Sequence, residues 1–316
     1  MPETARVQPQ LWRIYRRLDP SILQSADEPD RSADADLVHP GDRTGLAFGT
    51  YTRTGLENAL RAYGTIQRLE ARGLGPLDLR LDITDVYRPR ISLESRPFGG
   101  RPVIDVELRS VTGSVVGFPG SLSAVPMLYL ESLLLQHPGK RFSWSRPPLP
   151  EQEFPGMALS GEILQLLLLL AKRVGVEALV LRPSTFHAAS IYARYFRFVD
   201  GRAGGRFESL RRNPRLRPLW LLSWALDLGC LRRDGEQVGF APDPMAAALS
   251  SRVASHFERS AWRRAWALGR AEHHTLDREC LRQRFPWSRM PPGAPPASLR
   301  TLLGPPPRPS EGVPIL

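Results

Sequence analysis

Leucine and charged residues alternate along Leu77-Asp78-Leu79-Arg80-Leu81-Asp82. That period of two predicts a half-buried strand. Two further strands are expected, at Arg90 to Glu94 and at Val103 to Arg109. In the second, Val103, Asp105, Glu107 and Arg109 alternate with Ile104, Val106 and Leu108. The turn-forming run Pro97-Phe98-Gly99-Gly100 between them predicts an antiparallel hairpin, and Val111 to Phe118 extends the sheet. Ahead of these strands the pattern is helical. Thr54 and Glu57 have capping-box spacing, and Leu56, Leu60, Tyr63, Ile66 and Leu69 form an apolar stripe. Gly73 suits the residue that ends a helix. Leu11 to Leu18, aromatic and basic, predicts a helix that docks back on the body.

Pro126 opens a segment, Met127 to Gln136, whose Leu128, Leu130, Leu133, Leu134 and Leu135 predict a mostly buried helix closed by His137-Pro138-Gly139. The loop Phe142 to Pro155 follows, stiffened by Pro147, Pro148, Pro150 and Pro155. Gly156-Met157-Ala158-Leu159-Ser160-Gly161 then leads into a helix, Glu162 to Val174. Ser160 is placed to cap it, Glu162 lies in its first turn, Lys172 and Arg173 lie in its last, and Gly175 terminates it. Val176 to Leu181 reads as a buried strand ended by Pro183. Ser184 or Thr185 caps a further helix to about Tyr195, and Phe196, Phe198 and Val199 predict another strand. Helix, strand, helix and strand joined by short connections point to an α/β core.

Downstream, Leu219 to Leu228 and Met245 to Leu268 are expected to be helices, the second introduced by Pro244, with Trp220, Trp224, Trp262 and Trp266 packing them. Beyond Phe285 the proline density predicts turns and extended chain. The expected organisation is a flexible segment at 1–41 with an acidic linker (Asp27, Glu28, Asp30, Asp34, Asp36), an α/β core at 42–205, a helical extension at 206–284 and a proline-rich tail at 285–316.

Composition narrows the picture only in part. Forty-three Lys and Arg against 32 Asp and Glu leave a formal charge of +11 over 316 residues, which favours anionic partners. Most of the basic residues are Arg, a bias that a GC-rich genome also produces. Cys230 and Cys280 form neither a disulfide framework nor a close metal pair, so reduced thiols in a cytoplasmic protein are expected. Met1 to Gln10 holds Glu3 and Arg6 and no apolar run, and Leu166 to Ala171 is far too short to span a bilayer. Neither a signal peptide nor a transmembrane helix is therefore expected.

Residues 152–199 resemble the cofactor-binding half of the GNAT superfamily of acyl-CoA N-acyltransferases. Gly156 and Ala158 match that family's pyrophosphate-binding turn, in which backbone amides face the phosphates; Glu153 stands where the family has Arg or Gln, with Gln152 beside it. The following helix and strand fall in the family's order. Ala188, Ile191 and Tyr192 match the next helix, while Phe196-Arg197-Phe198 replaces the family's Gly-Phe. The resemblance implies a mixed, mainly antiparallel sheet flanked by helices and extended here by C-terminal helices. It also implies acetyl-CoA or another acyl-CoA as cofactor, bound at Gly156, Met157, Ala158, Ser160 and Gly161, with an amine of a small molecule or protein as acceptor.

For that chemistry Glu151 or Glu153 is the candidate base that takes the amine proton. Tyr192 is the acid that, by the resemblance, protonates the leaving thiolate. The plainer readings are a solvated carboxylate pair in a proline-rich loop and a half-buried tyrosine on an amphipathic helix. His187 is placed to touch a ligand beside the first turn of its helix, or else is structural. Adjacent His273 and His274 do not project together, and with Cys280 they lack the ligand set of a zinc site, so no metal is expected. The arginine stretch from Arg194 to Arg217 is the candidate anion or protein contact surface. The alternative function is a non-enzymatic interaction or regulatory protein that uses this C-terminal region. Nucleic-acid binding ranks third, since no nucleic-acid-binding motif accompanies the charge.

Overall fold

The alternating segment Leu77–Asp82 is a strand, β1, and its hairpin partners are β2 (Arg90–Ser95) and β3 (Arg101–Thr112). They belong to a computed structural model that describes residues 7–25, 46–212 and 217–304. Five more strands follow: β4 (Pro126–Leu135), β5 (Ala178–Leu181), β6 (Arg197–Phe198), β7 (Leu231–Arg233) and β8 (Glu236–Val238). The last two are β9 (Met245–Ala248) and β10 (Thr275–Leu276). A seven-stranded sheet has the order β1-β2-β3-β4-β5-β9-β6, and a small sheet has the order β10-β7-β8. Every pairing in the large sheet is antiparallel except β4 with β5, which run parallel. Parallel neighbours need a crossover, and here it is a helix, α5 (Ser160–Val174) once α1 to α4 are counted.

Those four helices precede the sheet: α1 (Pro9–Arg17), α2 (Pro20–Leu23), α3 (Arg53–Ala62) and α4 (Thr65–Glu70). The docking expected of Leu11 to Leu18 is seen. Leu11 is buried, Gln8 N donates to Gln165 Oε1 at 2.7 Å, and Arg173 of α5 donates to the carbonyls of Tyr15 and Leu18 at 2.6 Å each. The acidic stretch from Asp27 to Asp36 lies outside the described residues. After β5 come α6 (Phe186–Tyr192), α7 (Gly201–Arg212) and α8 (Leu219–Asp227), then α9 (Ser251–Ala254), α10 (Ser260–Arg270), α11 (Arg278–Arg284) and α12 (Ala297–Leu303). The fold is thus α/β, a mixed and mainly antiparallel sheet flanked by helices with a helical C-terminal extension.

Two expected helices are strands. Met127 to Gln136 forms β4 instead, and Met245 to Ala248 forms β9, with only Ser251–Ala254 and Ser260–Arg270 helical in the stretch expected as one helix. The cause is common to both. Leu128 and Leu179 pack towards α5, while Met127, Val180 and Ala246 face a second cluster built on Phe118, Val253 and Phe257. A strand buried on both faces loses its polar alternation and reads as a continuous apolar run. Pro126 is tolerated because it is the first residue of its strand.

Smaller corrections follow from local chemistry. Thr52, not Thr54, caps α3, its hydroxyl accepting from Gly55 N at 2.9 Å, and Gly64 at φ 73° splits the expected helix into α3 and α4. Ser160 does not cap α5; the capping position is Leu159, with no side-chain bond. Gly175 at φ 83° ends α5 and Thr185 caps α6, as expected. Val111 and Thr112 close β3, after which Gly113–Val116 is a 3-10 turn. The proline-rich segment carries α12, with Leu299 and Leu303 buried in the main core.

Cys230 and Cys280 are bonded as a disulfide, with Cα atoms 5.5 Å apart. The antiparallel pairing Leu231↔Leu276 brings the two cysteines together across 50 residues, a proximity no local spacing shows. The expectation of reduced thiols is corrected, and the cytoplasmic expectation loses that support, since disulfides persist chiefly in oxidising compartments. No helix among the described residues is long and apolar enough to cross a membrane.

Candidate functional site

β4 pairs with β5 only from Met127↔Ala178 to Leu130↔Leu181. β5 ends there, while β4 runs on to Leu135. From Glu131 to Leu135 the edge of β4 that faces away from β3 therefore has no strand partner among the described residues. A cleft of about 910 Å³ opens at this parting, walled by Glu131–Gln136, the loop 149–158, Ser160 of α5 and residues 181–192 leading into α6. Ligands of α/β sheets collect where neighbouring parallel strands part at their carboxyl ends, because the chain there leaves a crevice lined by loops.

The turn before α5 forms one end. The amides of Met157, Ala158, Leu159, Ser160 and Gly161 meet no acceptor among the described residues. Unpaired amides at the start of a 15-residue helix offer hydrogen bonds and a positive dipole end to an anion. The turn is held from behind. Arg72 donates to Met157 O, and Gly161 O accepts from Gln165 Nε2 at 2.9 Å and Tyr195 Oη at 3.2 Å. Its left-handed residue is Ala158, at φ 56°, and not a glycine. A Cβ on Gly156 would meet only Leu135 O, at an ordinary 3.6 Å.

The glutamates near this turn separate. Glu162 is absent from the cleft wall, its carboxylate held by Arg68 and by Thr65 Oγ1. Glu153 lines the cleft but is tied to Arg101 at 3.3 Å and is 72% exposed. Glu151 also lines the cleft, at φ 64°, and is exposed without an arginine partner among the described residues. Deeper in the wall Asp105 takes two hydrogen bonds from Arg90, at 2.9 and 2.7 Å, and Glu131 takes one from Arg109. Buried Asp105 and half-buried Glu131 are thus neutralised in place, while Arg146 and Arg182 line the cleft without an ion pair among the described residues. The chain matches no family model and no curated protein.

Tyr192, on the last turn of α6, lines the cleft half-buried, and its hydroxyl makes no hydrogen bond among the described residues. Burial pushes its pKa up to about 12, so it is a neutral donor at physiological pH. His187 also lines the cleft; its Nε2 lies 3.2 Å from Thr185 Oγ1, and its buried Nδ1 has no partner among the described residues. Burial pushes its pKa down to about 4, which keeps it uncharged. Among the residues singled out from sequence, Glu151, Glu153, Gly156, Met157, Ala158, Ser160, His187 and Tyr192 share this one cleft, and Gly161 sits just behind its rim.

Sequence reasoning misses Arg146, Arg182 and the free edge of β4. The last is hidden as long as β4 reads as a helix. The arginine stretch, by contrast, is largely committed within the fold. Arg202 pairs with Glu272, Arg206 with Asp243, and Arg211 and Arg212 with Glu208. Among the described residues no cluster of His, Cys, Asp and Glu is arranged to hold a metal ion.

Proposed function

We propose that this protein is an acyl-CoA-dependent N-acyltransferase. The observation that carries the reading is the parting of β4 and β5 beyond Leu130↔Leu181, with the unpaired amides of the α5 turn at one end of the resulting cleft. A pyrophosphate suits those amides. An extended, amide-bearing pantetheine arm suits the free edge of β4, to which it can hydrogen-bond as an added strand does. The thioester is then directed towards Tyr192. In the proposed reaction the amine nitrogen bonds to the thioester carbonyl carbon, the carbon–sulfur bond breaks, Glu151 accepts the amine proton, and Tyr192 gives its proton to the departing thiolate. The products are the N-acylated amine and free CoA.

Calorimetric titration with CoA and acetyl-CoA, on the wild type and on Gly156→Trp, tests this. Micromolar binding that a folded Gly156→Trp loses supports the reading, because an indole at that position would occupy the cleft beside Leu135. No binding by the wild type overturns it.

A further inference from the structure

The two sides of α10 differ in kind. The inner side packs on α7, where Trp266 O and Trp262 O lie 2.1 and 2.4 Å from the place that a Cβ on Gly205 or on Gly201 would take. Gly269 closes the same contact from α10, and Trp262 Nε1 donates to Phe198 O at 3.2 Å. The outer side is basic. Arg263, Arg264 and Arg270 are exposed, and so is Arg259 at the residue before the helix. Arg263 and Arg270 are seven residues apart, close to two turns, and therefore share one face. Arg259 stands one turn earlier, its carbonyl accepting from Arg263 N at 3.1 Å. At 1.5 Å per residue the row from Arg259 to Arg270 is about 16 Å long.

None of these four guanidiniums meets a carboxylate among the described residues, and Arg270 lies over the Trp266 ring at 5.1 Å. Glu258 is next to Arg259 in the chain but pairs with no arginine among the described residues, and Glu272 is held by Arg202 and Arg233. The arrangement opposes local stability. Arg259 stands at the positive end of the helix dipole, the first turn holds no acid, and arginines a turn apart repel one another. On α1, by contrast, the exposed Arg16 and Arg17 lie in the last turn, where the dipole favours them. A row of like charges held uncompensated on an exposed face fits a polyanion that brings the missing charge.

We propose that the outer face of α10 binds the phosphate backbone of duplex DNA. Guanidiniums in a fixed row suit phosphates, because one planar fork can hold a phosphate through two hydrogen bonds. A duplex carries about one charge per 1.7 Å of its axis, so a stretch as long as the row presents about ten. The overall charge of +11 adds attraction at longer range. A membrane surface fits less well. The tryptophans of α10 are half-buried, and Leu268 is the one large apolar side chain that the helix exposes, so no apolar face is left to enter lipid. α10 contributes no residue to the cleft, and the inference is independent of the acyl-CoA reading.

The test is fluorescence anisotropy of the full chain with a labelled mixed-sequence DNA duplex over a series of salt concentrations. It compares the wild type with Arg263→Gln/Arg264→Gln and with Arg16→Gln/Arg17→Gln, which removes the same charge from α1. Four phosphate contacts predict that log K falls with log salt at a slope of about −3 to −4. The α10 variant should bind tenfold or more weaker, with a slope shallower by about 2. The α1 variant should stay within about twofold of the wild type. Undetectable or salt-independent binding by the wild type, an α10 variant that binds like the wild type, or an α1 variant that loses as much overturns the proposal. Phosphatidylserine-containing vesicles serve as the second probe. Vesicle binding that needs Arg263 and Arg264, without binding to the duplex, assigns the face to a membrane and overturns it as well.

Discussion

Leu130 of β4 and Leu181 of β5 are the last partners in the parallel pair, and the five residues of β4 that follow them border the cleft alone. The sheet thereby supplies a free edge without an exposed edge strand, since β4 is covered by β3 on its other side. Free main-chain groups at such an edge are ready to pair with an extended ligand. The turn before α5 and the tyrosine on α6 then lie at the same opening, because α5 is the connection that the parallel pairing of β4 and β5 requires.

Tyr192→Phe removes the proposed proton donor without changing the shape of the wall. Under the acyltransferase reading, turnover with acetyl-CoA and an amine acceptor falls by a factor of about 10² or more, while CoA affinity by calorimetry stays within about twofold. Glu151→Gln lowers turnover similarly. Glu153→Gln has the smaller effect, because Arg101 already neutralises that carboxylate.

His187 is buried uncharged, and its pKa near 4 lies below the ordinary 6.5. Between those two values the unfolded chain binds a proton that the native protein does not. Stability is therefore fully present above about pH 6.5 and declines as the pH falls towards 4, with a slope of up to about 1.4 kcal/mol per pH unit from this residue. Burial lowers the pKa of His274 as well, so it acts in the same direction. Urea midpoints at pH 7 and pH 5 measure the effect. His187→Gln is expected to flatten the dependence and to leave the His274 part in place.

The Cys230–Cys280 disulfide closes a loop of 50 residues that contains β9 and α10. Chain-entropy reasoning assigns such a link about 4 kcal/mol, with measured values for native bridges between about 2 and 5. A Cys230→Ser/Cys280→Ser variant should lose a comparable amount in urea unfolding. Dithiothreitol should lower the melting temperature of the wild type and leave that of the variant unchanged.

α7 and α10 cross with almost no room between their backbones. A Cβ on Gly205 would lie 2.1 Å from Trp266 O, and one on Gly269 would lie 2.1 Å from Arg202 O. Gly205→Ala should destabilise the protein by about 3 kcal/mol or more, because both neighbours are main chain and must move apart. Gly239→Ala, where nothing lies within 4 Å, serves as the control and should stay within about 0.5 kcal/mol of wild type.

Periodicity and capping make several elements legible in the chain itself. β1 is bounded at Leu77 and Asp82 as its alternation requires, because one of its faces is less buried than the other. The helix α5 is bracketed by a terminal glycine and by charges suited to its dipole. The loop and turn residues at 151–161 and the tyrosine on α6 stand out from the chain alone, because turn glycines, prolines and helix order are local signals. These properties depend on neighbours within a few residues, so the amino-acid sequence by itself determined them.

Other features depend on what packs against what. β4 and β9 are strands because apolar layers cover both of their faces, and that double burial erases the alternation that identifies a strand. The disulfide exists because β10 folds back onto β7. Arg202 and Arg206, which read as free basic surface, are paired with Glu272 and Asp243, carboxylates that tertiary packing brings to them. The cleft is a space between elements, and only the tertiary arrangement decides where two strands part. Local sequence carries the propensities of single segments; the cleft arises from contacts between segments up to 91 residues apart, Arg101 to Tyr192, which local patterns do not encode.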